Sequence, residues 1–400
     1  MPAVAGVQLG VAATGERYKG RPDLLVAELS TGTSVAGVFT QSTLPAACIT
    51  WNKANLTTGK APSRARALVV NAGNANAFTG KQGMDTVKAV AQDTYRLLGG
   101  RRRDVFVAST GVIGEPLLPG ALTPFLPKAI KAAKPEAWED AARAIMTTDT
   151  FPKGAVATAE IDGQPVTIAG IAKGSGMISP NMATLLGFIF TDASIPSPVL
   201  QTLLLIANRE SFNAITVDSD TSTNDMVLLF ATGQGAQHRP VTRAGDRRLA
   251  GFRKALDAVM VDLAKQVVRD GEGASKLIEV VVKGAGTGNN ADAIARAIAN
   301  SPLVKTAIAG EDANWGRLVM AIGKSGIAVD PAALSIAMGG VDIVARGERV
   351  TGYDEAAVTQ HMQGQSVSIE IDAGQGTGAA RVWTCDLTHG YISINADYRS

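Results

Sequence analysis

Thr184 stands where a small-residue loop gives way to an apolar run, Leu185-Leu186-Gly187-Phe188-Ile189-Phe190. The loop ahead of it, Gly174-Ser175-Gly176-Met177-Ile178-Ser179-Pro180-Asn181-Met182-Ala183, begins directly after Lys173. A threonine hydroxyl is a weak nucleophile unless a base stands beside it. Histidine is a poor candidate for that base, because the chain has only His238, His361 and His389. Cutting the chain ahead of Thr184 would supply another: its own α-amine, whose ordinary pKa of about 7.7–8.0 lies near the pH where a general base works best. The same small residues also suit a plain hairpin connection between two strands. On residue types alone, both readings stand.

Other constellations carry less chemistry. Gly284-Ala285-Gly286-Thr287-Gly288-Asn289-Asn290 follows a strand pattern and precedes a helical one, as a dinucleotide loop does, but Asn289 fills the place of the third glycine. Asp218, Asp220 and Ser222 alternate like a calcium loop, yet Thr223 replaces the turn glycine and Leu229 the bidentate Glu. Hydroxyl-rich turns and buried hydrogen-bond networks use the same residues. Cys385 and His389 are four apart at a strand end, a spacing that separates their side chains, and no paired Cys or His spacing suits zinc. Arg101-Arg102-Arg103 lacks the aromatic platform of a nucleic-acid site.

The elements that must position these residues read as mixed α/β. Leu68-Val69-Val70 and Asp104–Ser109 read as strands, the second running into Thr110 and Gly111. Between them the pattern predicts a helix capped near Asp85 or Thr86 and stopped by Gly99. Trp138, Ala141, Ala142, Ile145 and Met146 form one stripe of a helix starting near Pro135, which brings Thr147, Thr148 and Asp149 to its end. Strands are expected on both sides of the Gly174–Ala183 loop, and helices from about Ser197 and Ala250. After Lys276 the pattern turns to several strands around a small helix, giving expected domains 1–275 and 276–400.

Composition bounds the answer. At roughly 150 residues per domain, 400 residues suggest two or three cores. A net charge of +2 offers no bulk field toward nucleic acid or anionic membrane. Hydrophobic residues at 46% against 18% charged exclude a mostly disordered chain. Two cysteines cannot build a disulfide framework. No apolar run is long enough to span a bilayer, and the first residues lack the basic start of a secretory signal, so a cytoplasmic protein is expected.

Several blocks share one likeness. Val70–Gly80, Val107–Glu115, Ile145–Lys153, Lys173–Phe188, Val217–Asp225, Val268–Gly273, Ser301–Arg317 and Asn395–Ser400 resemble, in order, the motifs of the ornithine acetyltransferase (glutamate N-acetyltransferase) family of arginine biosynthesis. The resemblance covers essentially the whole chain, and no block loses a functional group. It implies a layered αββα sandwich similar to N-terminal-nucleophile hydrolases but differently connected, with a smaller C-terminal α/β domain. It implies self-cleavage between Ala183 and Thr184, leaving pieces 1–183 and 184–400 that assemble as α2β2.

By the same resemblance, Thr184 carries the acetyl group from N-acetylornithine to glutamate in ping-pong fashion. Thr110 and Gly111 would form the oxyanion hole, and Thr147, Lys173, Thr184, Glu272, Asn395 and Ser400 would contact substrate. Charge sign assigns Lys173 to a substrate carboxylate and Glu272 to the ornithine ammonium. No metal or bound cofactor is expected, and acetyl-CoA is a second acetyl donor in some members. Two alternatives compete: an amidase or peptidase of the related folds, and a nicotinamide-dependent oxidoreductase using Gly284–Gly288.

Overall fold

A computed structural model describes residues 1–57, 63–179 and 185–396. The chain divides into two compact units: residues 1–177, 181–213 and 221–267 form one, and 178–180, 214–220 and 268–400 the other. Ala183, Thr184 and Ser400 lie outside the described residues.

The first unit contains β1 (Val7–Ala12), β2 (Leu24–Phe39), α1 (Ala47–Thr57), β3 (Arg64–Asn74), α2 (Gly80–Leu98), β4 (Val105–Val112), α3 (Leu126–Lys131), α4 (Trp138–Ala144), β5 (Lys153–Ile161), β6 (Gln164–Lys173), β7 (Leu186–Thr191), α5 (Ser197–Arg209), β8 (Met226–Ala231) and α6 (Ala250–Arg269). Its strands join in the order β4-β3-β2-β8-β7-β6-β5, with β1 also on β2. The long strand β2 is shared: Leu24–Leu29 pair with β1, and Ser34–Phe39 with β8.

This sheet folds back on itself. Strands β4 and β8 are three places apart, about 14 Å in a flat sheet at roughly 4.8 Å per strand. Yet Asn224, two residues ahead of β8, donates to the Ser109 carbonyl of β4 at 2.8 Å, which one side chain cannot do across a flat sheet. The interior holds an aromatic chain: Phe106 packs edge-on to Phe230 at 6.2 Å, Phe230 stacks on Phe190 at 5.2 Å, and Trp138 meets Phe190 at 5.7 Å. Helices α1 and α2 pack on β4 from outside, and α5 packs on β2. Gly170 of β6 faces Leu263 of α6, where a side chain would collide at 2.9 Å. Helix layers thus enclose two sheet layers, the expected αββα sandwich. Strands β7 and β8, paired in parallel, are buried on both faces and are apolar but for Thr191 at the end of β7.

The second unit contains β9 (Leu277–Ala285), α7 (Gly288–Ala299), α8 (Pro302–Ala309), α9 (Trp315–Gly323), β10 (Ser335–Met338), β11 (Val341–Ala345), β12 (Glu348–Arg349), α10 (Glu355–Gln363), β13 (Ser366–Asp372), β14 (Gly378–Cys385) and α11 (His389–Ala396). Its strand order is β12-β11-β10-β13-β9-β14, and its own apolar core gathers Val280, Ile294, Ile336 and Ile369.

Three local expectations shift. Helix α2 starts at Gly80, not near Asp85, because Asn76 and Thr79 fold against Gly83: Asn76 Nδ2 donates to its carbonyl at 3.0 Å, and a side chain there would strike Thr79 Oγ1. Helix α4 starts at Trp138, behind a turn at Lys134–Ala137. Strand β4 does not end at Ser109 but continues through Thr110 and Gly111 to Val112.

Candidate active site

The end of β6 brings Lys173 into the first unit's interior, where its side chain is 3% exposed. Lys173 Nζ donates to Thr147 Oγ1 at 2.8 Å and to Thr110 Oγ1 at 3.3 Å. Three residues distant in sequence, on two strands and the turn after α4, therefore meet at one ammonium group. The short helix α4 delivers Thr147 by ending three residues earlier. Strand β4 delivers Thr110, which is itself buried.

Asp149 ties this cluster together. Its Oδ1 accepts from Lys153 Nζ at 2.6 Å and from the Gly174 amide at 2.7 Å. Its Oδ2 accepts from the Thr147 amide at 3.0 Å and stands 3.9 Å from Lys173 Nζ. Burial alone would raise the Asp149 carboxyl, but Lys173, Lys153 and these hydrogen bonds outweigh it and hold the pKa down to about 2. Asp149 is therefore a carboxylate at neutral pH. It fixes the backbone on both sides of the Lys173 head: at Thr147 and at Gly174, where the loop leaves β6. Thr148 Oγ1 and Ser175 Oγ, 2.6 Å apart, add a second link between the same two segments.

Gly111 has no room for a side chain. Its φ is +134°, and a Cβ would lie 2.2 Å from the Gly73 carbonyl carbon and 2.5 Å from the Asn74 amide. The β3–β4 ladder slips register there, with Asn74 opposite both Thr110 and Val112. Irregularities of this kind often mark an active site because they re-aim the backbone.

Within the second unit, Glu272 and Asn395 meet as a pair. Asn395 Nδ2 of α11 donates to Glu272 Oε2 at 2.8 Å. The turn carrying Glu272 is locked by the Thr388 hydroxyl, which donates to the Gly273 carbonyl at 2.6 Å. Gly273, at φ +71°, lies so close to Gly390 and Tyr391 that any side chain would overlap their backbone. Nearby, Tyr391 OH donates to Asp218 Oδ2 at 3.2 Å, and the Ile178 amide donates to Asp218 Oδ1 at 2.8 Å. Burial, then Asp218 and Glu272, push the Tyr391 phenol upward, so it stays protonated and donating.

The competing motifs resolve as structural features. Thr287 caps α7, its side chain accepting from the Asn290 amide. A Cβ on Gly376 or Gly378 would strike the Ala285 and Thr287 carbonyls, so the Gly284–Gly288 turn is filled by its own chain and not open to a pyrophosphate. Cys385 is buried at the end of β14, and burial raises its thiol, which disfavours the reactive thiolate. Among the described residues no His, Cys, Asp or Glu cluster could hold a metal ion, and no helix is long and apolar enough to cross a membrane.

Sequence reasoning had not singled out Lys153, Asn224 or Asp225 as side chains of the site. The signal was the company they keep: Lys153 four residues after Asp149, and Asn224-Asp225 ending the hydroxyl-rich turn.

A model of the ArgJ family matches residues 8–400. The chain belongs to the ArgJ family. It is 54% identical over 402 residues to the arginine biosynthesis bifunctional protein ArgJ of Nitrobacter winogradskyi, covering 100% of this chain and 96% of that protein. It is also 54% identical over 400 residues to the ArgJ of Gluconobacter oxydans, covering 100% and 93%. The crystal structure of the Bacillus halodurans ArgJ shares 45% identity over 51% of this ArgJ-family chain and 95% of its own, with a TM-score of 0.49.

Proposed function

We propose that this chain is a glutamate N-acetyltransferase that moves the acetyl group of N2-acetylornithine onto glutamate through an acetyl-Thr184 intermediate. The observation that carries the reading is the buried meeting of Lys173, Thr147 and Thr110 at the end of β4. Full-length likeness to proteins named arginine biosynthesis bifunctional protein ArgJ supports the pathway.

The chemistry runs in two phases. In the precursor, Thr184 Oγ attacks the Ala183 carbonyl carbon, the Ala183–Thr184 peptide bond breaks, and an ester forms. Water hydrolyses the ester, leaving an Ala183 carboxylate and a free Thr184 α-amine. In the mature enzyme that amine takes the Oγ proton as Oγ attacks the acetyl carbonyl. The proton then passes to the departing ornithine nitrogen. Glutamate's amine attacks the acetyl-threonine ester in the reverse sense and leaves as N-acetylglutamate.

Each tetrahedral intermediate bears an oxyanion. The Thr110 hydroxyl and the Gly111 amide are its donors, each worth about 3–4 kcal/mol to the transition state. The Lys173 ammonium, held by Thr147 and balanced by Asp149, receives the substrate α-carboxylate. Glu272, held by Asn395, receives the ornithine side-chain ammonium, and Ser400 completes the substrate contacts. Pieces 1–183 and 184–400 stay together as α2β2 in the cytoplasm. The relatives' designation as bifunctional favours acetyl-CoA as a second acetyl donor to the same Thr184 oxygen.

Intact mass and an acetyl-transfer assay test this together. Wild-type protein should yield two fragments, the second beginning at Thr184, and should transfer acetyl from N2-acetylornithine to glutamate far faster than to water. Thr184→Ala should remain one chain and transfer nothing. Dominant hydrolysis would favour the amidase reading, and turnover by the Thr184→Ala chain would refute the nucleophile.

A further inference from the structure

Two consecutive residues just ahead of β8 send their side chains in different directions, Asn224 to β4 and Asp225 to the residue that precedes β7. Asn224 Nδ2 donates to the Ser109 carbonyl at 2.8 Å and the Ala75 carbonyl at 2.6 Å. Ser109 immediately precedes Thr110, and its hydroxyl donates to Asn71 Oδ1 at 2.7 Å. Asp225 turns to β7: its Oδ1 accepts from the Leu185 amide at 3.1 Å, the first amide after Thr184. The Leu185 carbonyl in turn accepts from the Met226 amide at 3.2 Å. Both Asn224 and Asp225 are buried.

We propose that the Asn224–Asp225 dipeptide is the positioning clamp of the acyl-transfer centre. Asn224 holds the strand end that carries Thr110 and Gly111, and Asp225 holds the first peptide beyond Thr184. One rigid dipeptide thereby sets the spacing between the oxyanion donors and the nucleophile's strand. The inference rests on Thr184 being the nucleophile.

Asp225 does this as a carboxylic acid. Burial above all pushes its carboxyl well up, against the Leu185 amide, the Lys173 charge and the Ser222 amide and hydroxyl. Among the described residues its Oδ2 has no hydrogen-bond partner, and an ionised carboxylate with such a buried oxygen is heavily penalised. Lys173 of β6 is the charged side chain acting on it. What Asp225 contributes is therefore the acceptor Oδ1, which an asparagine carbonyl can replace.

The test uses the full chain carrying Asn224→Ala, Asp225→Asn or Asp225→Ala. Readouts are the extent of self-cleavage, kcat and KM for acetyl transfer, and hydrogen exchange of the Leu185–Thr191 segment. Asp225→Asn should keep cleavage and kcat within about threefold of wild type with an unchanged pH profile. Asp225→Ala should lower both by about tenfold or more, since small misplacements of reacting groups cost up to about 10²-fold. Its KM should change by less than about threefold, and exchange at Leu185 should quicken. Asn224→Ala should lower kcat about as much while leaving Leu185 exchange unchanged. Equal damage from Asp225→Asn and Asp225→Ala would overturn the acceptor role, and wild-type kcat in both alanine variants would overturn the clamp. If the wild-type chain is not cut, the nucleophile reading fails, and exchange at Leu185 still decides whether Asp225 holds that amide. If Asp225→Ala does not fold, the asparagine variant's cleavage, pH profile and exchange decide the matter.

Discussion

Asp149→Asn should be among the most damaging isosteric changes in the molecule, and its cost can be worked from the geometry. Lys153 and Asp149 are both fully buried and 2.6 Å apart. Removing the carboxylate leaves the Lys153 ammonium facing a neutral amide, and breaking a buried pair from one side costs about 3–5 kcal/mol. A folded unit of this size loses about 2–4 °C of Tm per kcal/mol, so a fall of about 10 °C is expected at pH 7. The same pair sets an acid dependence. The Asp149 carboxyl lies at about 2 against an ordinary 3.8, which is worth about 2 kcal/mol of folding stability. Because the folded pKa is the lower one, that stability is complete above about pH 4 and is lost as pH falls toward 2. Thermal unfolding from pH 7 to pH 2 should show this loss in wild type and lack it in Asp149→Asn. A double variant, Asp149→Asn with Lys153→Met, removes the stranded charge and should recover at least half of the Tm deficit. The reasoning fails if Asp149→Asn melts within about 2 °C of wild type, or if the two substitutions simply add.

The remaining predictions separate positioning from chemistry. Gly111→Ala should lower kcat by about 10²-fold or more if Gly111 is an oxyanion donor, because its Cβ would fall 2.2 Å from the Gly73 carbonyl carbon and force β4 to move; steady-state kinetics at near-wild-type KM would show it. Glu272→Gln should raise KM for N2-acetylornithine several-fold more than it slows appearance of the Thr184 fragment, and equal damage to both would contradict an ammonium-binding role. Removing Asn395 by substitution to Ala should weaken acetylornithine binding in the same direction but less, since it acts through Glu272.

Apolar periodicity exposed most of the architecture. Trp138, Ala141 and Ala142 are buried along one face of α4, while Ile145 and Met146 are buried just beyond its end at Ala144, and the hairpin across the Gly174–Ala183 loop forms as β6 against β7. Helix starts were less legible where tertiary contacts override local capping. Asp85 is a respectable cap on its own, but Asn76 and Thr79 close around Gly83 and begin the helix six residues sooner, with Thr79 at the cap position. The blocks around Thr110, Lys173 and Thr184 could be picked out because the family likeness names them, whereas the periodic pattern alone left the loop as a connection.

The charges of the site were illegible for a physical reason. Hydropathy assigns every lysine to solvent, so Lys153, at the head of an alternating strand, reads as an edge residue. It is wholly buried because Asp149, four residues earlier, turns back from the end of α4 and meets it. Asp225 illustrates the opposite case: a carboxyl with no cation on its free oxygen among the described residues, stable in the interior only when it carries a proton. A sequence states which side chains can ionise, but the dielectric around each decides which do. Two aspartates of this unit, both buried and both near Lys173, thus end in opposite protonation states. Asp149 faces two ammonium groups and accepts two backbone amides, and stays charged. Asp225 has the Leu185 amide and Ser222 beside it but no ammonium group bonded to it, and burial keeps it neutral. The proposed mechanism would use both environments, one cation for a substrate carboxylate and no second anion beside the nucleophile, and the fold forms the two from residues that a linear pattern cannot tell apart.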